Sequence, residues 1–353
     1  MAERIDVDKL LELVQQKQIE AIASIEDKAI KAATEKRFAA IDDAVRSATT
    51  KWVEEFGSMS ADGAGPALDS MIKEALGASN KALSGLEAST ISALSEAVGD
   101  AVTTATEQGA AFVEGASGKA AATKVAAPPV DLKDARAAVK AAVEDGLKES
   151  KALLRKPLVE RLGLRGLLSG LRRARNAVAR AQSTITTTVN QHVTKTMQAT
   201  STANKAKYEV WVSERDACVN CLAYAGKIVP AGGNWQEGLS FDPKQRDPQP
   251  TKGGKGVRPP LHPHCRCRPV PWDPAWAREG EVSLPDAVTR EAQRSIARGF
   301  SLPSESNAAR IRALKDMLAN GNPQLPKTVL ERARRDLKNG EFARGRSVPT
   351  SNP

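Results

Sequence analysis

Apolar residues in the first part of the chain recur at helical spacing. Within one stripe of apolar residues, successive members are three or four residues apart, which places them on a single helix face. Its members are Phe38, Ile41, Val45, Ala48 and Trp52. No proline interrupts residues 7–56, and the other faces of the predicted helix are charged. The pattern predicts one long helix over 7–56 that packs against another helix, either of the same chain or of a second copy.

A second helical region follows a break. Residues 57–66, GSMSADGAGP, combine Gly, Ser and Pro, which favour turns over helix. Residues 67–115 are rich in alanine, and their larger apolar side chains again have helical spacing. Alanine allows close helix packing but buries little area, so this region predicts thin helical bundles or extended helices. Residues 115–130 have the composition of a flexible linker.

The next helices differ in character. Residues 131–155 favour a helix that Pro157 interrupts. Residues 161–180 are basic and amphipathic, whereas residues 183–212 are polar, rich in threonine and largely compatible with a helix. His192 falls in this polar stretch, so we expect it on a helix surface.

The pattern changes again towards the C-terminus. Residues 214–272 are rich in loops and contain short strand candidates, and nine of the 20 prolines lie within 211–272. The last ten residues have a composition typical of disorder. Helical spacing returns in three late segments, which are 286–300, 304–320 and 327–338.

These patterns predict a mostly α fold. An extended helical N-terminal region is followed by a small α+β module, held together by zinc, and by a short helical C-terminal extension. The expected segments are an Ala-rich helical arm over 1–130, a basic helical stem over 131–212, a Cys/His module over 213–272, and the C-terminal extension with its disordered tail over 273–353.

Charge is distributed unevenly along the chain. The net charge of the 353 residues is +10, yet residues 1–150 hold 17 Lys and Arg against 25 Asp and Glu. Residues 151–210 hold 12 against 2. An acidic first part followed by a basic second part points to an acidic or polyanionic partner for the basic part.

Six arginines in the basic segment are candidate contacts for that partner: Arg161, Arg165, Arg172, Arg173, Arg175 and Arg180. Packaged DNA would be bound through its phosphates, independently of sequence and with strong salt dependence. No aromatic residue lies between Phe112 and Tyr208, so base stacking is not the mechanism there. An acidic protein surface, a membrane surface or simple solubility would also account for the charges.

Aromatic residues are scarce and concentrated. They make up 4% of the chain, which argues against one large enzyme core. Seven of the 13 lie between Tyr208 and Trp276, together with all four cysteines and two of the three histidines. No apolar run reaches the roughly 18–20 residues that a membrane-spanning helix needs. The first residues lack the pattern of a secretory signal, so we expect a cytosol-like compartment.

The cysteines and histidines have the spacing of a structural zinc site. Cys218 and Cys221 form C-x2-C, which places two thiolates on one ion. Cys265 and Cys267 are two residues apart, so in a strand both side chains lie on one face. His262 precedes Cys265 by three residues and can reach the same ion from a turn. Four cysteines, or three cysteines and one histidine, would each complete a tetrahedral site.

Other uses of these cysteines remain open at this point. Disulfides are disfavoured in a cytosolic setting, and a redox C-x2-C is typical of a βαβ context that is missing here. Reduced cysteines without a ligand are a further alternative. A catalytic zinc would need an open coordination position and a nearby acid or base. A segment this short and poor in aliphatic residues buries little area, so a bound metal would supply the missing stability.

The motifs also occur in a distinctive order. Trp211 precedes DACVNC at 216–221, Gly-Lys at 226–227 and RPPLHPHCRC at 258–267. This ordered set resembles the phage Mu F-like family, whose members are minor head, or head morphogenesis, proteins of tailed phages. The resemblance covers about residues 150–272. In the family pattern the tryptophan lies on a helix.

The resemblance implies a structural role. Family members are low-copy internal capsid components that associate with the portal during procapsid assembly and are linked to DNA packaging or ejection. It therefore implies a virion location, with the host cytoplasm as the site of assembly. The implied partners are the portal protein and major capsid or scaffold proteins. The resemblance also favours His262 over His264 as a ligand, because His264 occupies a variable position.

Enzyme functions find little support. Outside the Cys/His cluster the only histidine is His192, which leaves a Ser-His-Asp triad without a good candidate base. Residues 253–256, GGKG, lack the full phosphate-loop pattern. Residues 273–353 contain neither Cys nor His. We expect a non-enzymatic protein, with general nucleic-acid binding as the alternative and an enzyme using Asp216 or His192 as a third class.

Overall fold

The computed structural model describes residues 7–60, 65–122, 125–215, 217–239, 241, 256–276, 282–298, 307–320 and 323–339. The described chain is mostly helical and contains one small sheet, which confirms the predicted fold class. The predicted disordered tail, the GGKG segment up to Lys255 and Asp216 lie outside the described residues.

The first part of the chain consists of long helices. They are α1 (Val7–Glu12), a π-helical stretch (Leu13–Lys17), α2 (Gln18–Phe56), α3 (Pro66–Leu83) and α4 (Leu86–Ser117). The long helix predicted over 7–56 is confirmed, with one π-helical interruption near its start. A π-helix inserts extra residues into the helical ladder and changes the direction of the side chains that follow.

The basic region forms three further helices. They are α5 (Lys133–Leu153), α6 (Lys156–Leu162) and α7 (Leu164–Ala203). Pro157 lies in the first turn of α6, where its missing N–H costs no intrahelical hydrogen bond. Gly163 adopts φ +60° and separates α6 from α7. A left-handed backbone at this position is accessible to glycine without a steric penalty.

The last part of the chain combines the sheet with short helices. These elements are β1 (Tyr208–Val212), α8 (Val219–Tyr224), β2 (Ile228–Pro230), β3 (Arg268–Trp272), α9 (Leu284–Arg298), α10 (Asn307–Asn320) and α11 (Lys327–Asn339). The sheet order is β2-β1-β3 and both pairings are antiparallel. The prediction of helix up to residue 212 was wrong at its end, because the apolar run Tyr208–Val212 is the central strand.

The chain forms two compact units that cut across the segments predicted from sequence. Unit 1 comprises residues 1–23, 101–129 and 190–353, and unit 2 comprises residues 24–100 and 130–189. Helices α2, α4 and α7 each contribute residues to both units. A long helix presents different faces and different stretches to different neighbours, so boundaries of composition need not coincide with boundaries of packing.

Unit 2 is a helical bundle whose core includes the predicted stripe. Ile41 and Trp52 are fully buried, and the other stripe members pack against the same cores. Their partners come from helices α3, α5, α6 and α7 of the same unit. The stripe is therefore covered within the chain, and it is not left open for a second copy.

Unit 1 gathers distant parts of the chain around one core. Leu10 and Val14 near the N-terminus, Phe112 of α4, and α9 to α11 all share a cluster with the sheet and the cysteines. The three C-terminal helices, predicted as a separate extension, thus belong to the core of this unit. Val288, Ile296 and Leu314 are fully buried within this core.

Two smaller expectations are also corrected. His192 is 1% exposed, so it lies inside unit 1 and not on a helix surface. The threonines around it misled the prediction, because hydroxyl groups can return hydrogen bonds to their own helix and then tolerate burial. In the predicted linker, Ala121 is buried and the Ala122 N–H donates to Asn204 Oδ1 at 2.8 Å, so this part is packed.

Within the described residues, no helix combines the length and the apolar character that crossing a membrane requires.

Candidate metal centre

The first pair of cysteines is positioned by a short helix. Cys218 occupies the N-cap of α8 with extended backbone, and Cys221 lies one turn further on. The Leu222 N–H donates to the Cys218 carbonyl oxygen at 2.9 Å and closes this turn. Cys218 is half-buried and Cys221 is 1% exposed, so the thiols extend from the protein surface inward.

The second group of candidate ligands is positioned by a tight turn before β3. The Cys265 N–H donates to the His262 carbonyl oxygen at 3.1 Å. Pro263 occupies the second position of this turn, and His264 occupies the third with φ +62°. Proline followed by a residue with positive φ is the signature of a type II turn. The turn brings both His262 and Cys265 against Cys221, and Cys267 leads directly into β3.

The structure brings all five predicted metal ligands together. His262 Nε2 lies 3.1 Å from Cys218 Sγ and 3.2 Å from Cys221 Sγ, and the Sγ atoms of Cys221 and Cys265 are 3.6 Å apart. The five donors form two groups, Cys218–Cys221–His262 and Cys221–Cys265–Cys267, within each of which all ligand atoms lie within 4.8 Å of one another. Cys221 belongs to both groups. His264 belongs to neither.

These three separations are close to the edges of a tetrahedral zinc site. Zn–S bonds of about 2.3 Å and Zn–N bonds of about 2.0–2.1 Å imply S···S edges near 3.8 Å and S···N edges near 3.6 Å. The observed separations are a few tenths of an ångström shorter. Thiolates and imidazole are the donors that zinc takes in structural sites, so the residues present suit this metal both in type and in spacing.

The imidazole of His262 is oriented for coordination. Its Nδ1 lies 2.8 Å from the Pro263 carbonyl oxygen, which can only accept a hydrogen bond. We therefore assign a proton to Nδ1, so that Nε2, which faces the thiols of Cys218 and Cys221, is the nitrogen that would coordinate an ion. A histidine that donates its other N–H to a carbonyl is the usual arrangement around protein-bound zinc.

Because the thiols lie close together, the pKa values of some are lowered and those of others are raised. Contact with Cys221 and with His262 lowers the pKa of Cys218 to about 4, and contact with Cys221 and Cys267 lowers the pKa of Cys265 to about 2. The pKa of Cys221 is raised, because Cys218 and Cys265 lie against it. Contact with Cys218 raises the pKa of His262 to about 9. Neighbouring thiolates repel one another, and a divalent cation would remove this conflict.

A disulfide does not account for the cluster. All four cysteines are free, and the 3.6 Å separation of Cys221 and Cys265 far exceeds an S–S bond of about 2.05 Å. Burial also argues against a redox C-x2-C that exchanges with other thiols, since Cys221, Cys265 and Cys267 are each no more than 2% exposed.

Aromatic packing supports the centre from one side. Trp211, fully buried on β1, stacks on Tyr224 at 4.7 Å and meets the edge of Trp235 at 5.2 Å. The family pattern expects this tryptophan on a helix, and here it lies on a strand. Tyr224 ends α8, so the same aromatic group fixes the helix that carries Cys221.

Two polar contacts near the centre were missed by the sequence analysis. Arg258 Nη2 lies 2.6 Å from an oxygen of the fully buried Glu209 on β1. Arg310 of α10 is also fully buried and donates to the carbonyl oxygen of Ala217, next to Cys218, at 3.1 Å. No local signal marks either contact, because the partners are 49 and 93 residues apart in sequence.

The six candidate arginines all lie exposed in unit 2, but they do not form one uniform surface. Three of them pair with acidic residues of the same unit: Arg173–Glu149 at 3.3 Å, Arg175–Asp42 at 3.3 Å and Arg180–Asp145 at 3.4 Å. Among the described residues, the other three form no ion pair. Part of the charge asymmetry is thus compensated within the chain, which weakens its value as a sign of an external partner.

Comparison with known proteins identifies no relative of this chain. No family model, no curated protein and no solved structure matches this chain. The function must therefore be argued from the residues and their geometry.

Proposed function

We propose that this protein is a structural minor capsid, or head morphogenesis, protein of a tailed phage or prophage. In this proposal it lies inside the head near the portal, assists procapsid assembly and DNA packaging or ejection, and has no enzymatic activity. Its partners are the portal protein and major capsid or scaffold proteins, which it meets in the host cytoplasm during assembly.

One observation carries the proposal. The motifs that resemble the Mu F-like family, separated by about 40 residues of chain, meet in a single cluster. The DACVNC segment, the Trp211 strand and the RPPLHPHCRC segment share one core. The motif residues therefore act together as one structural unit, which is what a family defined by this ordered set requires.

Zinc is the proposed ion of this centre, with a structural role. Bound zinc would contribute directly to the folding free energy of the residues around it. Because α1 and α9 share the core with the cysteines, loss of the metal should loosen these helices too. Elemental analysis of protein purified without chelator would give one zinc per chain, and its absence from reduced protein would contradict this assignment.

Capture by the portal protein tests the assembly role. The full chain would be co-expressed with the portal protein of the same phage or prophage, with Cys265→Ala and Lys315→Ala as matched variants. We expect wild type and Lys315→Ala to co-purify with the portal, and Cys265→Ala to lose capture. Failure of the wild-type chain both to co-purify and to appear in purified particles would contradict the proposal.

General nucleic-acid binding remains the alternative, favoured by one observation. Arg161, Arg165 and Arg172 are exposed and, in the described part of the chain, without an acidic partner. If they contact phosphates, replacing all three with alanine should reduce the salt slope of DNA binding by about 2.7, from about 0.9 per contact. Replacing the paired arginines, Arg173, Arg175 and Arg180, serves as the control. Tight, salt-dependent DNA binding without portal capture would favour this alternative.

A further inference from the structure

The cluster offers five donor residues, whereas a tetrahedral zinc ion takes four ligands. The turns that carry the donors distinguish four of them from the fifth. Cys218 and Cys221 are three residues apart on a turn closed by the Leu222 N–H. His262 and Cys265 are also three residues apart, on a turn closed by the Cys265 N–H. Two turns with the same x2 spacing, each offering two donors, can supply the four corners of one tetrahedron.

The second turn is built to present His262 and Cys265. Pro263 pre-sets the backbone of the turn, and His264 takes the left-handed conformation that a type II turn needs at that position. His264 is exposed and belongs to neither donor group. The backbone conformation of the turn thus accounts for His264, and its imidazole is not needed as a ligand.

Cys267 is placed differently from the other three cysteines. It lies beyond the turn, directly before β3, whose first residue Arg268 pairs with Val212 of β1. It is 2% exposed, and its Sγ lies within 4.8 Å of the Sγ atoms of Cys221 and Cys265. The residue three positions before it, His264, belongs to neither donor group, so Cys267 shares no turn with a second ligand, and the sheet holds its backbone.

We propose that the metal is bound by Cys218, Cys221, His262 and Cys265, and that Cys267 remains a buried thiol that donates its S–H to a metal-bound sulfur. The inference rests on the proposed metal centre and specifies its ligands. A hydrogen bond to a coordinating thiolate spreads its charge and stabilises it, as outer hydrogen-bond partners do in other metal sites. Cys267 thereby tunes the affinity for the metal without being a ligand.

Zinc-edge X-ray absorption of the wild-type protein tests the ligand set without any substitution. We expect three sulfur neighbours at about 2.3 Å and one nitrogen at about 2.0–2.1 Å. Four sulfur neighbours would overturn the proposal, and so would protein that binds no metal. Because this measurement does not involve the portal, a failure of portal capture leaves its result unaffected, and the two proposals can fail separately.

Cobalt(II) substitution of matched variants tests the role of Cys267. Cys267→Ser and Cys267→Ala should keep one cobalt per chain and the absorption spectrum of a three-thiolate site, with metal affinity reduced by about 10–100-fold. His262→Ala and Cys265→Ser should lose stoichiometric binding. His264→Gly should match wild type, since glycine accepts the same backbone conformation. A lost or altered cobalt spectrum in both Cys267 variants, beside an unchanged spectrum in His262→Ala, would show a four-cysteine site instead.

Discussion

At position 163, a residue other than glycine would fit only if the surrounding backbone rearranged. The φ of Gly163 is +60°, and an added Cβ would overlap the carbonyl oxygen of Met59. The same carbonyl accepts a hydrogen bond from the Leu164 N–H at 3.1 Å. A single residue thus combines an unusual backbone conformation with a close approach of two chain segments, and this contact fixes the start of α7.

Replacing Gly163 with alanine should destabilise the protein by about 2 kcal/mol or more, because both the backbone strain and the clash oppose the native arrangement. Gly99→Ala is the matched control, since Gly99 lies exposed in α4 with open space around it. That change should stabilise the protein by about 0.5–1 kcal/mol. Urea denaturation followed by circular dichroism measures both, and equal effects would contradict the role of Gly163.

The buried pair of Glu209 and Arg258 ties the second ligand segment to the sheet. Glu209 is fully buried on β1, and Arg258 lies four residues before His262 while stacking over Trp235 at 5.4 Å. A buried carboxylate is tolerated only when it is paired. The arginine of the RPPLHPHCRC segment is therefore a structural residue near the metal centre.

Arg258→Met should cost about 3–5 kcal/mol of stability, because it leaves the carboxylate of Glu209 buried without its partner. Adding Glu209→Leu to the same chain should recover much of this loss. Lys28→Met, which removes the exposed pair with Glu96, should change the stability much less. Thermal unfolding of the four proteins provides the comparison, and no recovery in the double variant would contradict the pairing.

At the scale of elements, α10 has a role that its sequence hides. It is one of three C-terminal helices, yet its Leu314 is fully buried in the core that includes the cysteines. Arg310 of the same helix donates to the carbonyl oxygen next to Cys218. The C-terminal helices are therefore part of the Cys/His module and complete its core.

Leu314→Ala should destabilise unit 1 by about 2–5 kcal/mol, because it leaves a cavity in a well-packed core. It should also speed the release of zinc to a chromogenic chelator. Lys315→Ala, the neighbouring exposed position, should lie within about 0.5 kcal/mol of wild type. If Leu314→Ala unfolds like wild type and releases zinc at the same rate, α10 does not support the centre.

At the scale of the whole molecule, the clustered candidate metal ligands found among the described residues all lie in unit 1. The cysteines, His262 and four of the five tryptophans lie in this unit, whereas Trp52 lies in unit 2. Unit 2 has its own cores, and its residues 24–100 and 130–189 contain neither Cys nor His. The two units should therefore respond differently when the metal is removed.

Chelation of zinc should raise hydrogen exchange over residues 208–239 and 256–276, because the metal contributes folding free energy to this region. Residues 24–56 and 164–189 in unit 2 should keep their protection. Exchange measured by mass spectrometry, with added zinc as the reversal control, distinguishes the two responses. Uniform loss of protection in both units would show that the metal stabilises the entire chain.

Features that depend on residues close in sequence were predictable, whereas features that depend on distant residues were not. The helix over 7–56 and the three C-terminal helices were predictable, since helical spacing records which face is buried. The run Tyr208–Val212 was assigned to a helix, because a short apolar run is equally compatible with both structures until its strand partners are known. His192 was placed on the surface, because a polar neighbourhood in sequence does not reveal which face of α7 is covered.

The sequence by itself determined the helical character, the break positions and the five candidate metal ligands, because these depend on residue type and local spacing. Only the tertiary structure decided that the ligands meet, that the C-terminal helices and the N-terminal residues share their core, and that three of the six arginines are paired within the chain. Such contacts join residues that are distant in sequence, and Arg175 and Asp42, for example, are 133 positions apart. No local pattern encodes them, since they arise only when the whole chain packs.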